Sequence, residues 1–177
     1  MSEFEQLVER VIQDQDLKLE DIPALDLYMD QVLTLFDEGL SSNKRHPEDK
    51  LLTKTMINNY SKEHLLMPVK GKKYSRQHIM QLLCIFHLKQ VLSLGDIKSL
   101  TGQDEIDFEK AYQSYLQNKN QLKSTLIPQV KEYCNWEIKD SQERLESCLA
   151  LVLIANYMRR FCEEIIDTYM QEGAEMD

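Results

Sequence analysis

Apolar residues recur at helical spacing through most of this chain, and the interruptions divide it into segments. Phe4, Leu7, Val8, Val11 and Ile12 fall on one face of a short amphipathic helix, with Ser2 and Glu5 placed as a capping box. A second helix is predicted to open at Asp21-Ile22-Pro23 and to run through Leu25, Tyr28, Met29, Val32, Leu33 and Phe36 to about Leu40. The following SSNKRHPEDK, Ser41 to Lys50, is polar, breaks the period and contains Pro47, so it reads as a loop. Thr53 then caps a helix on which Met56, Ile57, Tyr60 and His64 gather on one arc. Lys54, Thr55, Asn58, Ser61 and Lys62 take the opposite arc, with Asn59 at its border and no apolar side chain among them.

Leu65-Leu66-Met67-Pro68 ends that helix, and Val69 to Tyr74 forms a short basic turn with Gly71 at its tip. Ser75 caps a further helix carrying Ile79, Leu82, Leu83, Phe86, Leu88 and Val91, and Ser93 with Asp96 opens a short one through Ile97 and Leu100. From Asp104 to roughly Thr125 the apolar positions are Ile106, Tyr112, Tyr115, Leu116 and Leu122, and Pro128 predicts a break or kink. Asp140 with Glu143 marks a fresh start for a helix extending to about Met170, apolar on every side around Leu149 to Ile154. Such a helix is covered either by neighbours within the monomer or by a second copy of itself. The expected division is a helical arm over 1–20, a head over 21–102 and a C-terminal helical region over 103–177.

With 177 residues, 42% of them hydrophobic, and only five glycines and four prolines, an all-α protein is expected. The longest apolar stretch, Cys148 to Ala155, is too short to cross a bilayer, and no apolar run follows a basic start, so a soluble cytoplasmic protein away from membranes is expected. Charge sharpens this picture. Between Lys44 and Lys98 eleven Lys and Arg face four Asp and Glu, so that segment carries +7 and the rest −16 of a total −9. Such asymmetry points to a polyanionic partner, double-stranded DNA.

On the helix after Thr53, Asn can bond an adenine edge through two groups, Thr can meet a thymine methyl and Lys neutralises phosphate. The expected DNA-contacting residues are therefore Lys54, Thr55, Asn58, Asn59 and Lys62, joined by Lys70, Lys72, Lys73, Tyr74 and Arg76 in and after the basic turn. Cys84, Cys134, Cys148 and Cys162 include no C-x-x-C pair and read as free, buried packing thiols, although the last three recur every fourteen residues. His46, His64, His78 and His87 all lie in the basic region without metal-site spacing. No phosphate-binding, dinucleotide, zinc-protease or nucleophile-elbow motif occurs, so no enzyme, cofactor or metal is expected.

The order TKTMINNYSKEHLL, KKYS, RQHIMQLLCIFHLK, LSLGDIKSL resembles the MerR-type winged helix-turn-helix. The resemblance implies packing positions for Ile57 and Tyr60, the DNA-facing arginine position for Asn58, and places near the wing arginine for Lys72 and Lys73. It also implies a dimerising C-terminal helix, here within Asp140 to Met170, and a role in transcription regulation. His64 stands where that family has glycine, and Ser41 to Lys50 replaces a tight turn between helices. Through LYMDQVL and LTKTMINNYSK the chain also resembles an uncharacterised bacterial domain-of-unknown-function family, linked by similarity to the same fold. The alternative expectation is a helical protein-interaction module that keeps this shape without binding DNA.

Overall fold

The computed structural model describes residues 3–102, 106–133 and 138–174. Seven α-helices and one two-stranded ribbon occur among them, in agreement with a mostly helical chain. None of the described helices is long and apolar enough to cross a membrane. The chain divides into two compact units, residues 14–116 and residues 1–13 with 117–177.

In the first unit the helices are α2 (Met29–Gly39), α3 (Lys54–Lys62), α4 (Arg76–Leu88) and α5 (Leu94–Thr101), followed by the start of α6 (Phe108–Tyr133). Strand β1 (Leu27–Tyr28) pairs antiparallel with β2 (Lys73–Tyr74), Leu27 facing Tyr74 and Tyr28 facing Lys73. The core is built around α4, whose Ile79, Met80, Leu82, Leu83, Ile85 and Phe86 are all buried. Val32 and Phe36 of α2, Ile57 and Tyr60 of α3, Ile97 of α5 and Tyr112 of α6 are buried too, and the Phe36 and Phe86 rings meet edge-on at 6.4 Å. An added Cβ at Gly39 would lie 2.3 Å from Leu17 Cδ2, which is why the last turn of α2 carries no side chain there.

The helix expected to open at Asp21 begins instead at Met29. Residues Leu19–Asp21 form a short 3-10 turn, Leu25 is exposed, and Leu27 and Tyr28 are drawn into the ribbon. Ladder bonds to Tyr74 and Lys73 hold these residues extended, and the Tyr28 N–H donates to Gln31 Oε1 at 2.8 Å, so the helix starts after them. Helix α6 runs through Pro128, where the sequence predicts a break. Proline here costs the helix the bond to the Ser124 carbonyl and crowds that carbonyl with its ring, while one turn upstream Ser124 and Thr125 donate their hydroxyls to the carbonyls of Gln121 and Leu122. The expected opening at Asp104 lies outside the described residues, and Asp107 caps the helix by accepting from the Lys110 N–H at 3.0 Å.

The second unit holds α1 (Glu3–Ile12), the later part of α6 and α7 (Ser141–Ala174). Ser2, the expected cap of α1, and Cys134 lie outside the described residues. As expected, Asp140 starts α7: its Oδ1 accepts from the Glu143 N–H at 2.9 Å, and Glu143 Oε2 accepts from the Lys139 N–H at 2.7 Å. Among the described side chains of this unit only Ser147 and Ile166 are buried, whereas Leu145, Leu149, Val152, Leu153, Tyr157, Met158, Phe161 and Ile165 are each at least half exposed.

The cysteines depart from the expected packing role. Cys84 is half-buried, but Cys148 and Cys162 are exposed on α7, because that helix has more apolar and small residues than its own unit can cover. Burial pushes the Cys84 thiol up to about 11, so little thiolate forms there near neutral pH. A maleimide probe should label Cys148 and Cys162 in the native monomer and Cys84 only on unfolding. Rapid native labelling at Cys84, located by peptide mapping, would contradict its placement.

Candidate nucleic-acid interface

Helix α3 starts where Thr53 Oγ1 accepts from the Met56 N–H at 3.2 Å. Its two faces separate as the sequence predicts: Ile57 and Tyr60 are buried, while Lys54, Thr55, Asn58, Asn59, Ser61 and Lys62 are exposed. His64 leaves the packing arc, because the helix ends at Lys62 and His64 adopts φ 59, the left-handed region. The Leu65 N–H then donates to the Tyr60 carbonyl at 2.8 Å, closing the helix in the manner of a glycine-type cap. The backbone thus has at His64 the conformation glycine favours. His64→Gly should raise stability by about 1 kcal/mol, read as a higher denaturant midpoint, and a lowered midpoint would show that the imidazole itself is needed.

The chain leaving α3 is fixed by a buried amide. Gln81 of α4 donates from Nε2 to the Leu65 carbonyl and accepts at Oε1 from the Met67 N–H, both at 2.9 Å. Gln81→Met keeps similar volume but strands both backbone groups, and should lower stability by about 2 kcal/mol. A urea transition unchanged by that substitution would show the clamp to be dispensable.

Beyond it, Gly71 and Lys72 both have φ 61, the signature of a type I′ hairpin turn between Lys70 and Lys73. Nothing lies within 4 Å of a Cβ built on Gly71, so glycine is favoured there by conformation and not by crowding. Lys70, Lys72 and Lys73 are exposed, and Lys73 Nζ sits 5.4 Å from the centroid of the Tyr28 ring. Pairing of β2 with β1 anchors the base of this basic turn.

Tyr74 and Arg76 turn away from solvent. Tyr74 is buried with its ring edge-on to His78, and burial raises its phenol above the usual value. Arg76 donates from Nη1 to the Ile22 carbonyl at 2.5 Å and from Nη2 to the Leu19 carbonyl at 2.9 Å, and pairs with Glu109 at 3.1 Å. It ties the segment before the ribbon to α4 and α6. Lys54 bonds Asp30 of α2 at 2.7 Å across a largely exposed gap, a pair that a phosphate can compete for. Sequence reading missed Gln81 and the clasp of Arg76. Of the two glutamines on α4, Gln77 is exposed and Gln81 lies in the apolar run from Ile79 to Phe86, which signals its burial, but backbone partners leave no pattern in side-chain spacing.

A second cluster is inward. His87 stacks on Tyr115 with centroids 4.2 Å apart, and its Nε2 lies 3.4 Å from Asp16 Oδ1, an ion pair when the imidazole is protonated. Tyr112 donates to the Leu17 carbonyl at 2.8 Å, and burial, followed by the charge of Asp16, raises its phenol. This cluster closes the core around residues 16–17. Among the described residues no group of three or more His, Cys, Asp or Glu is placed to hold a metal ion.

Residues 17–124 match the family model described as a domain of unknown function, DUF1836. No curated protein and no solved structure matches the chain.

Proposed function

The chain belongs to the DUF1836 family, and we propose that it is a DNA-binding transcriptional regulator of MerR-like type that works as a dimer. The carrying observation is the outward face of α3, wholly polar and exposed from Lys54 to Lys62, on a helix whose other face is locked into the core by Ile57 and Tyr60. A recognition helix needs this division, since the side chains that read bases cannot also pack. Asn58 and Asn59 supply paired amide groups for base edges, Thr55 a methyl, and Lys54 and Lys62 charge. Lys70, Lys72 and Lys73 on the hairpin grip phosphate, while Tyr74 and Arg76 hold the hairpin and α4 in place rather than touching the duplex.

The dimer is proposed through α7. Its unit buries Ser147 and Ile166 alone among the described side chains, so the helix lacks a core to stabilise it, and a second copy of the same apolar stripe is self-complementary cover. The exposed stripe also favours a second reading, a helical interaction module whose acidic −16 remainder and α7 bind another protein. Genome-wide capture of bound DNA separates the two. The regulator reading expects discrete enriched sites that vanish in an Asn58→Ala, Lys62→Ala variant, and no enrichment over background would favour the interaction module.

A further inference from the structure

The loop between α2 and α3 is longer than a tight helix-turn-helix connection and is pinned at both ends. At its start the Gln15 N–H donates to Ser42 Oγ at 2.6 Å, and Asn43 Nδ2 donates to the Gln15 carbonyl at 3.1 Å. In its middle the His46 N–H donates to Asp49 Oδ2 at 2.9 Å, and the Asp49 N–H returns to the His46 carbonyl at 3.0 Å. Thr53 caps α3 at its end. So held, the loop roofs a cavity of about 420 Å³ against the inner side of α3 and the end of α4. Ligand pockets span roughly 300–1,000 Å³, so the space suits a small organic molecule and is too large for a bare ion.

Its charge is one-sided. Lys44, Arg45, Lys50 and Lys89 line it with a single acid, Asp49, which already accepts from His46. Lys44 is neutralised by Asp37 at 2.6 Å, a contact that holds the Asp37 carboxyl below its usual value. Arg45, Lys50 and Lys89 are exposed and have no carboxylate within 4 Å among the described residues; the Asp37 charge also acts on Lys50 from farther off, and Lys89 Nζ lies 5.7 Å from the centroid of the Tyr60 ring. Leu51, Leu52, Met56 and Phe86 give the lining its apolar part.

We propose that this cavity binds a small organic phosphate, its phosphate held by Arg45, Lys50 and Lys89 and its apolar body seated over Leu52 and Met56. A phosphomonoester carries about −1.5 to −2 at neutral pH, which matches three cations better than a singly charged carboxylate does. Met56 and Tyr60 of the lining sit on the side of α3 away from Asn58, so the site is separate from the outward face.

The test is calorimetric titration of the full chain at low ionic strength with phenyl phosphate, n-butyl phosphate, inorganic phosphate and phenol. Saturable binding of one phosphomonoester per chain is expected, weaker for inorganic phosphate and absent for phenol. Lys50→Gln and Lys89→Gln should each weaken it about tenfold, the loss of one charge-assisted bond. Lys54→Gln with Lys62→Gln, on the outer face, should leave it unchanged, and circular dichroism confirms that each variant is folded. No saturable heat with either ester would overturn the proposal. So would equal loss in the outer-face variant, which marks diffuse basic attraction. A Lys50→Gln, Lys89→Gln variant that loses duplex DNA while the esters bind nowhere would assign these cations to nucleic acid instead. Because neither ester contains nucleic acid, ester binding stands or falls independently of the regulator reading.

Discussion

Replacing Leu149 and Val152 together by lysine should give a folded monomer. Apolar side chains occupy every fourth position of α7 from Leu145 through Leu149, Leu153, Tyr157 and Phe161 to Ile165, each between 50% and 63% exposed. A four-residue repeat advances about 40° beyond one turn per step, so these side chains form one inclined ridge along the helix. Ridges of this kind pack into the same ridge of a second helix at a crossing angle near −50°, which predicts crossed helices in preference to a long parallel coiled coil. In a two-fold interface each substitution appears twice, so the double variant places two lysines on the ridge at Leu149 and two more beside it at Val152, which is also exposed. Leaving even one charge buried and unpaired costs about 3–5 kcal/mol, a weakening of roughly 200-fold or more. Because both positions are exposed within the chain, the isolated fold should tolerate the change. Sedimentation should find a dimer for the wild type and a helical monomer for the variant. A wild type that stays monomeric at high concentration, or a variant that simply unfolds, would mean that α7 is covered from within its own chain.

The second large effect concerns two kinds of proposed DNA contact. Lys72 sits at the hairpin tip and Lys73 opens β2 beside it; on the proposed regulator reading both meet phosphate, so their replacement by alanine should weaken all duplexes alike and reduce the salt slope by about one unit per lost contact. Asn58 projects from the outward face of α3 and should discriminate. Asn58→Ala should cost about 1–3 kcal/mol per head at the preferred site, doubled in a dimer that uses both heads, while non-specific binding is nearly retained. Equal loss on selected and random duplexes would reassign Asn58 to backbone contact. On the same reading the acidic remainder, at −16, should repel misdocked encounters and favour approach through the basic segment.

Where the chain's structure is local, spacing revealed it. The faces of α3, the Thr53 cap, the Ser93–Asp96 capping box and the start of α7 at Asp140 all follow from short-range periodicity and cap chemistry. Non-local pairing was hidden. Leu25, Tyr28, Met29 and Val32 keep helical spacing, yet the first two precede the helix because β1 is claimed by β2, far along the chain. The inward turn of Arg76 toward the carbonyls of Leu19 and Ile22 was invisible for the same reason, so an arginine in a basic run looked like a phosphate ligand. His64 shows a third kind of gap. Its side chain differs from the glycine of the resembling family, but its φ of 59 is the one a glycine would adopt there.

The most direct measurement for the central reading is a salt titration of the wild-type protein against a duplex enriched by selection and against random duplex. The regulator account predicts that log affinity falls linearly with log salt for both, with the selected duplex about 1,000-fold or more tighter at physiological salt. Absence of binding to either duplex even at low salt would contradict it.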